Sequence, residues 1–292
     1  MAAPTPAETA KALRTMLGLD DGGVCVCVLG GTEFKNENTE ALTHAIASKL
    51  PTALGERAIF VTGGMPGVQK AFAEKFGGEA SQLRHLLPEG QPSGFSIGED
   101  LHAGKDLDER KVVFGEMGDV YLTFEGGPGV AIEARTAFAR GAAVIPLIRT
   151  GGASKGMFDF PKGALEKPAV ASETEWELLK KEDGAVEECA DAVVELTKKV
   201  AAEKLRQPSF WEILDKLVGI DRGTLTAVLG VVLTILLLIS GSSIYSEVSR
   251  GRNDLAAMHG GFLLLVLGLI GSVAWVVNEA SRLEGEKKDK AD

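Results

Sequence analysis

The sequence predicts an α/β domain, a parallel sheet with helices on both faces, followed by a C-terminal transmembrane α-helical hairpin. Three observations carry that expectation. Short apolar runs at 24–29 (VCVCVL), 58–62 and 120–124 alternate with stretches of helical periodicity; such runs are strands buried on both faces, as in a parallel sheet covered by helices. Each of the three ends in a glycine turn. Two later stretches, 223–245 and 255–277, carry no Asp, Glu, Lys or Arg, and each is long enough to cross about 30 Å of hydrocarbon as a helix.

Taken in order, residues 1–21 form an N-terminal extension with a helix over 7–17. The strand 24–29 ends in Gly30-Gly31-Thr32-Glu33, and a helix over 39–50 follows with Thr39 as its N-cap. The strand 58–62 ends in Gly63-Gly64-Met65-Pro66-Gly67 and leads into a helix over 68–76 and a weaker strand over 82–87. The Gly/Pro-rich stretch 88–104 reads as a loop lying across a site. A charged helix start, Asp108-Glu109-Arg110-Lys111, precedes the strand 120–124, whose turn Gly126-Gly127-Pro128-Gly129 opens a helix carrying Glu133. A strand over 143–147 comes next. Residues 149–168 read as a plain surface loop, the alternative being that Thr150-Gly151-Gly152-Ala153-Ser154 adds polar groups to the same rim. Helices over 172–181 and 184–204 close a domain spanning 22–204; the second shows an apolar stripe at Val186, Cys189, Val193, Leu196 and Val200.

Beyond it, a juxtamembrane linker over 205–222 leads to the first span, residues 246–254 join it to the second, and 278–292 form a charged tail. Lys204, Arg206, Lys216 and Arg222 precede the first span and Arg282, Lys287, Lys288 and Lys290 follow the second, against Arg250 and Arg252 between them. The bias places the domain and both termini on the cytosolic side. Trp211, Tyr245 and Trp275 fall near span ends, where amphipathic rings settle, and His259 reads as interfacial. The hairpin has no row of ionisable residues, which argues against an ion pathway.

Composition narrows the function. The net charge of -10 over 292 residues argues against a nucleic-acid partner. Three cysteines make no disulfide framework and are expected as reduced, buried thiols; none has His or Cys neighbours at metal-ligand spacing, so neither a metal nor a cofactor is expected. No basic region followed by an apolar run opens the chain, so no secretory signal is expected. In an open parallel sheet ligands bind at the carboxyl ends of the strands, so the three glycine turns converge on one rim and favour a nucleotide-like small molecule. The unit running from Arg110 through the strand and turn to Glu133 is the centre of that rim. Backbone N–H groups at Gly127, Gly129 and Val130 would face an anion there. For the two charges blander roles stand beside a ligand role: Arg110 pairing with Asp106 four residues back, and Glu133 favoured by the helix dipole. Lys111 reads as a surface lysine, and Glu33 as either a site carboxylate or an exposed acid.

These motifs resemble the LOG family of Rossmann-like phosphoribohydrolases, often labelled lysine decarboxylase-like, within the wider SLOG superfamily. The resemblance rests on Thr62-Gly63-Gly64-Met65-Pro66-Gly67, on Glu109-Arg110-Lys111 and on Glu125 to Glu133, and covers roughly 22–200. It implies a homodimer and hydrolysis of the N-glycosidic bond of a purine nucleoside 5'-monophosphate. Arg110 and Glu133 would be the catalytic pair; Gly30, Gly31, Thr32, Gly63, Gly64, Gly67, Lys111, Gly126, Gly127, Gly129 and Val130 would bind substrate and phosphate. Three positions depart from the family pattern: Glu125 stands for a proline, Val130 for a threonine and Thr62 for the first glycine of its turn. The implied alternative is a SLOG-type sensor that binds a nucleotide without turnover and signals through the hairpin.

Overall fold

The strand β1 (Val24–Gly30) is buried along its whole length in the computed structural model, which describes residues 4–205. Val24, Val26 and Val28 enter one core, and Cys25, Cys27 and Leu29 enter another, the alternation of a strand covered on both faces. Beside it run β2 (Ala58–Thr62), β3 (Leu83–Leu87) and β4 (Glu99–His102) on one side, and β5 (Val120–Phe124) and β6 (Ala143–Leu147) on the other. The sheet is six-stranded, in the order β4-β3-β2-β1-β5-β6, and every pairing is parallel. It is an α/β, Rossmann-like arrangement: the chain builds outward from β1 to β4, then returns to lay β5 on the other flank of β1.

Helices α1 (Pro6–Met16), α4 (Leu107–Met117) and α5 (Pro128–Ala139) cover one face; α2 (Thr39–Leu54), α3 (Val68–Glu74), α6 (Glu173–Lys180) and α7 (Val186–Leu205) cover the other. The cysteines Cys25, Cys27 and Cys189 are buried free thiols, as expected for small apolar side chains under helices.

Several sequence expectations need correction. Helix α2 does not stop at residue 50; it runs through Pro51 to Leu54, and its N-cap position is Asn38, with Thr39 the first helical residue. Proline removes the N–H that would bond Ala47, yet here the Gly77 N–H takes the Ala47 carbonyl at 3.0 Å. A Cβ at Gly77 would stand 2.1 Å from the Ser48 carbonyl, so only glycine fits that approach. The stretch 88–104 is not all loop, since β4 pairs with β3 through Arg84–Glu99 to Leu87–His102. A short edge strand reading EDLH has little of the apolar pattern that marks buried strands. Residues 149–168 contain short 3-10 turns, Gly152–Lys155 and Lys162–Leu165, after Ile148–Thr150. The predicted spans 223–245 and 255–277 lie outside the described residues; among the described residues no helix is long and apolar enough to cross a membrane.

Candidate functional site

Where the chain reverses, between β1 and β5, the two strands diverge into separate connections and leave a crevice at their carboxyl ends. Gly31, Thr32 and Gly127 sit at its centre, shared by two cavities. The smaller, about 190 Å³, is closed by Met65, Gln69, Arg110, Lys111, Val130 and Glu133. The larger, about 520 Å³, opens toward Lys35, Glu125, Thr150, Met157 and Phe158.

Arg110 and Glu133 meet inside the smaller cavity. Arg110 Nη1 donates to Glu133 Oε1 at 2.7 Å, with the side chains only 4% and 5% exposed. The four-residue pairing of Arg110 with Asp106 does not form; Asp106 instead caps α4, accepting the N–H groups of Asp108 and Glu109. Nor does the dipole argument for Glu133 hold, because α5 begins at Pro128 and its first turn carries no acid. Burial pushes the Glu133 carboxyl up to about 7, against the pull of Arg110 and then Lys111. The guanidinium lies over the Phe114 ring at 5.4 Å, and its Nε is buried without a partner among the described residues.

Helix α5 has Gly127 at its N-cap and no capping side chain, so its first-turn N–H groups, including those of Gly129 and Val130, have no acceptor within the helix. A Cβ at Gly127 would meet nothing within 4 Å, and one at Gly129 only Lys111 Cε at 3.9 Å. That face is open to an anion, with the Lys111 side chain alongside. Lys111 also pairs with Asp108 at 2.8 Å and is about a quarter exposed, so it stands at the rim rather than free in solvent. Glu33 and Thr32 are exposed at the mouth.

Of the other predicted glycines, Gly63, Gly64 and Gly67 support the crevice without lining it, while Gly30 and Gly126 do both. A Cβ at Gly63 would press on Arg110 Nη1 at 2.8 Å and Gln69 Oε1 at 3.0 Å, and one at Gly30 would overlap Val68. Gly64 packs against Leu87 and Ser93, and Gly67 against the Gly31 carbonyl and Thr32. Gly126 has φ +89, and a Cβ there would strike Val130; the Val130 methyls thus fill the space beneath the turn. Of the predicted glycines on this rim, Gly31, Gly126, Gly127 and Gly129 border a cavity, as does Gly30.

Two departures from the family pattern acquire structural roles. Glu125 is buried, and its carboxylate accepts the Lys35 N–H through Oε2 and the Asn36 N–H through Oε1, each at 2.9 Å. The acid pins the loop after β1 rather than facing the α5 amides. Its own N–H donates to Thr150 Oγ1, and its carbonyl accepts from Ser154, so the Thr150–Ser154 stretch does join the rim. Thr62 donates to His85 Nδ1 at 2.8 Å and accepts the Gly64 N–H, while His85 Nε2 donates to the Ile97 carbonyl at 2.8 Å. A carbonyl can only accept, which assigns the proton to Nε2. Residues 88–98 are thereby folded onto the sheet edge, away from the crevice, and no residue of 88–104 lines either cavity.

Sequence reasoning missed Gln69, buried beside Arg110 with its Oε1 accepting the Met65 N–H at 3.0 Å. A polar residue one position beyond a buried valine at the start of a helix was the available signal. It also missed Lys35, Met157 and Phe158, which reach the rim from loops without a motif.

No family model matches the chain, and no curated protein does. Among solved structures it is similar to the X-ray structure of the structural-genomics target TM1055, at 24% identity and a TM-score of 0.40, over 45% of this chain and 78% of that one.

Proposed function

We propose that this chain is a membrane-anchored, LOG-like nucleotide-binding protein that hydrolyses the N-glycosidic bond of a nucleoside 5'-monophosphate. The observation carrying the proposal is the buried Arg110–Glu133 pair, which borders the crevice next to the uncapped start of α5. A buried pair with an unpartnered Nε is a poor device for stability; a site that uses the charges gives it a reason.

The phosphate would lie against the first-turn amides of α5 with Lys111 beside it. As the bond from C1' of the ribose to the base nitrogen breaks, the electron pair leaves with the base, which takes up a proton, and positive charge develops on the ribose. Glu133, ionised, would stabilise that charge and accept a proton from the water whose oxygen bonds C1'. The products are free base and ribose 5-phosphate. Arg110 holds the carboxylate in place and offers a further donor to substrate oxygens. A carboxyl near 7 is matched to proton transfer at neutral pH.

Incubating the full chain with AMP, and resolving free adenine chromatographically, tests this. Adenine release that disappears in Glu133→Ala and Arg110→Ala supports the reading; no release from the wild-type chain sinks it. One observation favours a second reading, a sensor that binds without turnover: Val130 offers no hydroxyl to an anion and is buried. In that case AMP raises the melting temperature while no base appears.

A further inference from the structure

Thr62 and His85 form a buried polar couple beside the crevice, lining neither of its cavities. They are direct neighbours in the β2–β3 pairing, so both side chains leave the same face of the sheet. The hydroxyl donates to Nδ1 at 2.8 Å and accepts the Gly64 N–H at 3.2 Å; across the ring, Nε2 donates to the Ile97 carbonyl. A glycine at 62, as in the family pattern, could make neither of the first two bonds. A fully buried hydroxyl is costly unless it is satisfied, and here it both donates and accepts.

This line of bonds joins two segments. Beyond His85 lie residues 93–98. Phe95 meets the imidazole edge-on at 4.9 Å, and Ser93 gives its N–H and its hydroxyl to Asp100. A Cβ at Gly98 would stand 2.6 Å from His85 Nε2, and its φ of +88 suits glycine. On the other side of Thr62 lies the turn 63–67. Its N–H groups at Gly64 and Met65 are taken by Thr62 and by Gln69, and Gly64 also packs on Ser93. Beside those anchors the Gly63 backbone lies directly against the Arg110 guanidinium: a Cβ would stand 2.8 Å from Nη1 and 3.0 Å from Nη2. Arg110 is thus bounded by Glu133, by the Phe114 ring and by a turn that Thr62 holds.

We propose that Thr62 and His85 are positioning residues for the Arg110–Glu133 pair, acting through the 63–67 turn, with residues 93–98 as the outer support of the site. Neither side chain touches the ligand. His85 fixes the hydroxyl, the hydroxyl fixes the Gly64 amide, and the turn so held keeps the guanidinium on the carboxylate. Each link is a contact between adjacent groups, so the coupling runs through a continuous physical chain. The assignment rests on the reading of Arg110 and Glu133 as the working pair and adds the two residues from which that pair takes its place.

Kinetics of adenine release from AMP by the full chain, with chemical denaturation against pH, test it. Thr62→Val keeps the shape and removes the hydroxyl, and His85→Leu removes both ring nitrogens. Each is expected to lower kcat about tenfold or more, the scale of a misplaced catalytic group, with KM little changed. Thr62→Ser loses a methyl and keeps the hydroxyl, so packing alone would rank it below Thr62→Val; the relay ranks it above. His85→Gln, an amide that can both donate and accept, is likewise expected to recover most of the loss. The pair is also read without turnover. A loosened Arg110 pulls less on Glu133, so the stability lost as Glu133 ionises near pH 7 is lost at higher pH in Thr62→Val and His85→Leu. Wild-type kcat and an unmoved midpoint in both variants overturn the relay, as does a fall in kcat that Thr62→Ser and His85→Gln fail to repair. If the wild-type chain releases no adenine, the hydrolase reading falls and the midpoint decides: an upward move upholds the positioning role, and an unmoved one overturns it.

Discussion

At Glu133 two effects oppose each other: burial favours the protonated carboxyl, and the Arg110 guanidinium at 2.7 Å favours the carboxylate. Burial wins, and the folded-state value rises to about 7 from 4.5. At this group the folded chain therefore binds more protons than the unfolded one between those values, so this contribution to stability is fully present below 4.5 and is lost as pH rises through about 7. The shift caps that loss at about 3 kcal/mol. Glu133→Gln is expected to flatten this part of the stability–pH curve in chemical denaturation; a wild-type curve with no such fall would remove the basis for a tuned carboxyl. Base release should follow the ionised form, rising with pH through about 7 in the wild type. Gly63→Ala probes the same pair from its other side. The new Cβ would stand 2.8 Å from Arg110 Nη1, and a buried guanidinium can give way only by loosening its carboxylate. We expect a destabilisation of about 1–3 kcal/mol and at least a tenfold loss of AMP turnover; turnover at the wild-type rate would show that the pair tolerates displacement. Arg110 and Glu133 were legible because their spacing around a strand and a glycine turn is a sequence property. The role of Glu125 was not, since its carboxylate is satisfied by the amides of Lys35 and Asn36, far away in the chain. Side-chain identity alone showed only an acid where the family pattern has a proline.

Among the elements, the central strands could be read nearly to the residue, because burial on both faces forces a continuous apolar run. Elements whose limits depend on distant partners could not. The Ala47 carbonyl that Pro51 leaves unpaired is taken by Gly77, beyond the next strand, and β4 exists by pairing with β3 rather than by its own composition. The loop between β1 and α2 is a similar case, since its conformation is set by the Glu125 clamp. Hydrogen bonds to a charged group are worth about 1.5–3 kcal/mol, so Glu125→Ala is expected to cost about 2 kcal/mol or more. It should also raise amide hydrogen exchange at Lys35 and Asn36 ahead of global unfolding; exchange that stays at the wild-type rate there would mean that the loop is held by something else. The edge formed by β3, β4 and residues 88–98 depends on neutral His85, whose pKa burial holds below its ordinary 6.5. Here the folded chain binds fewer protons, so this contribution is present above 6.5 and is lost as pH falls below it. Protection factors against exchange at Gly64 and at the residues around Ile97 are expected to fall on mild acidification. The slope opposes that of Glu133, and site-resolved exchange separates the two.

For the whole molecule, a shared crevice was implied by three strands ending in glycine turns, and the six-stranded order places those strands side by side, with the switch point between β1 and β5. Residues 206–292 lie outside the described residues, and their role is inferred from side-chain chemistry alone. We propose that 223–245 and 255–277 anchor the domain, because each is an uncharged run long enough to cross the hydrocarbon as a helix. Met1–Arg206 forms a compact unit built around two hydrophobic cores. A chain ending at Leu205 is therefore expected in the soluble fraction, and the full chain in the membrane pellet after alkaline carbonate washing. Protease added to inside-out vesicles should digest the domain, while right-side-out vesicles should protect it, as the basic residues flanking the spans require. Full-length protein released by carbonate would sink the anchor. Digestion from the opposite side would keep the anchor and reverse the orientation, and would place the site proposed for a nucleotide away from the compartment that holds most of the cell's nucleotides.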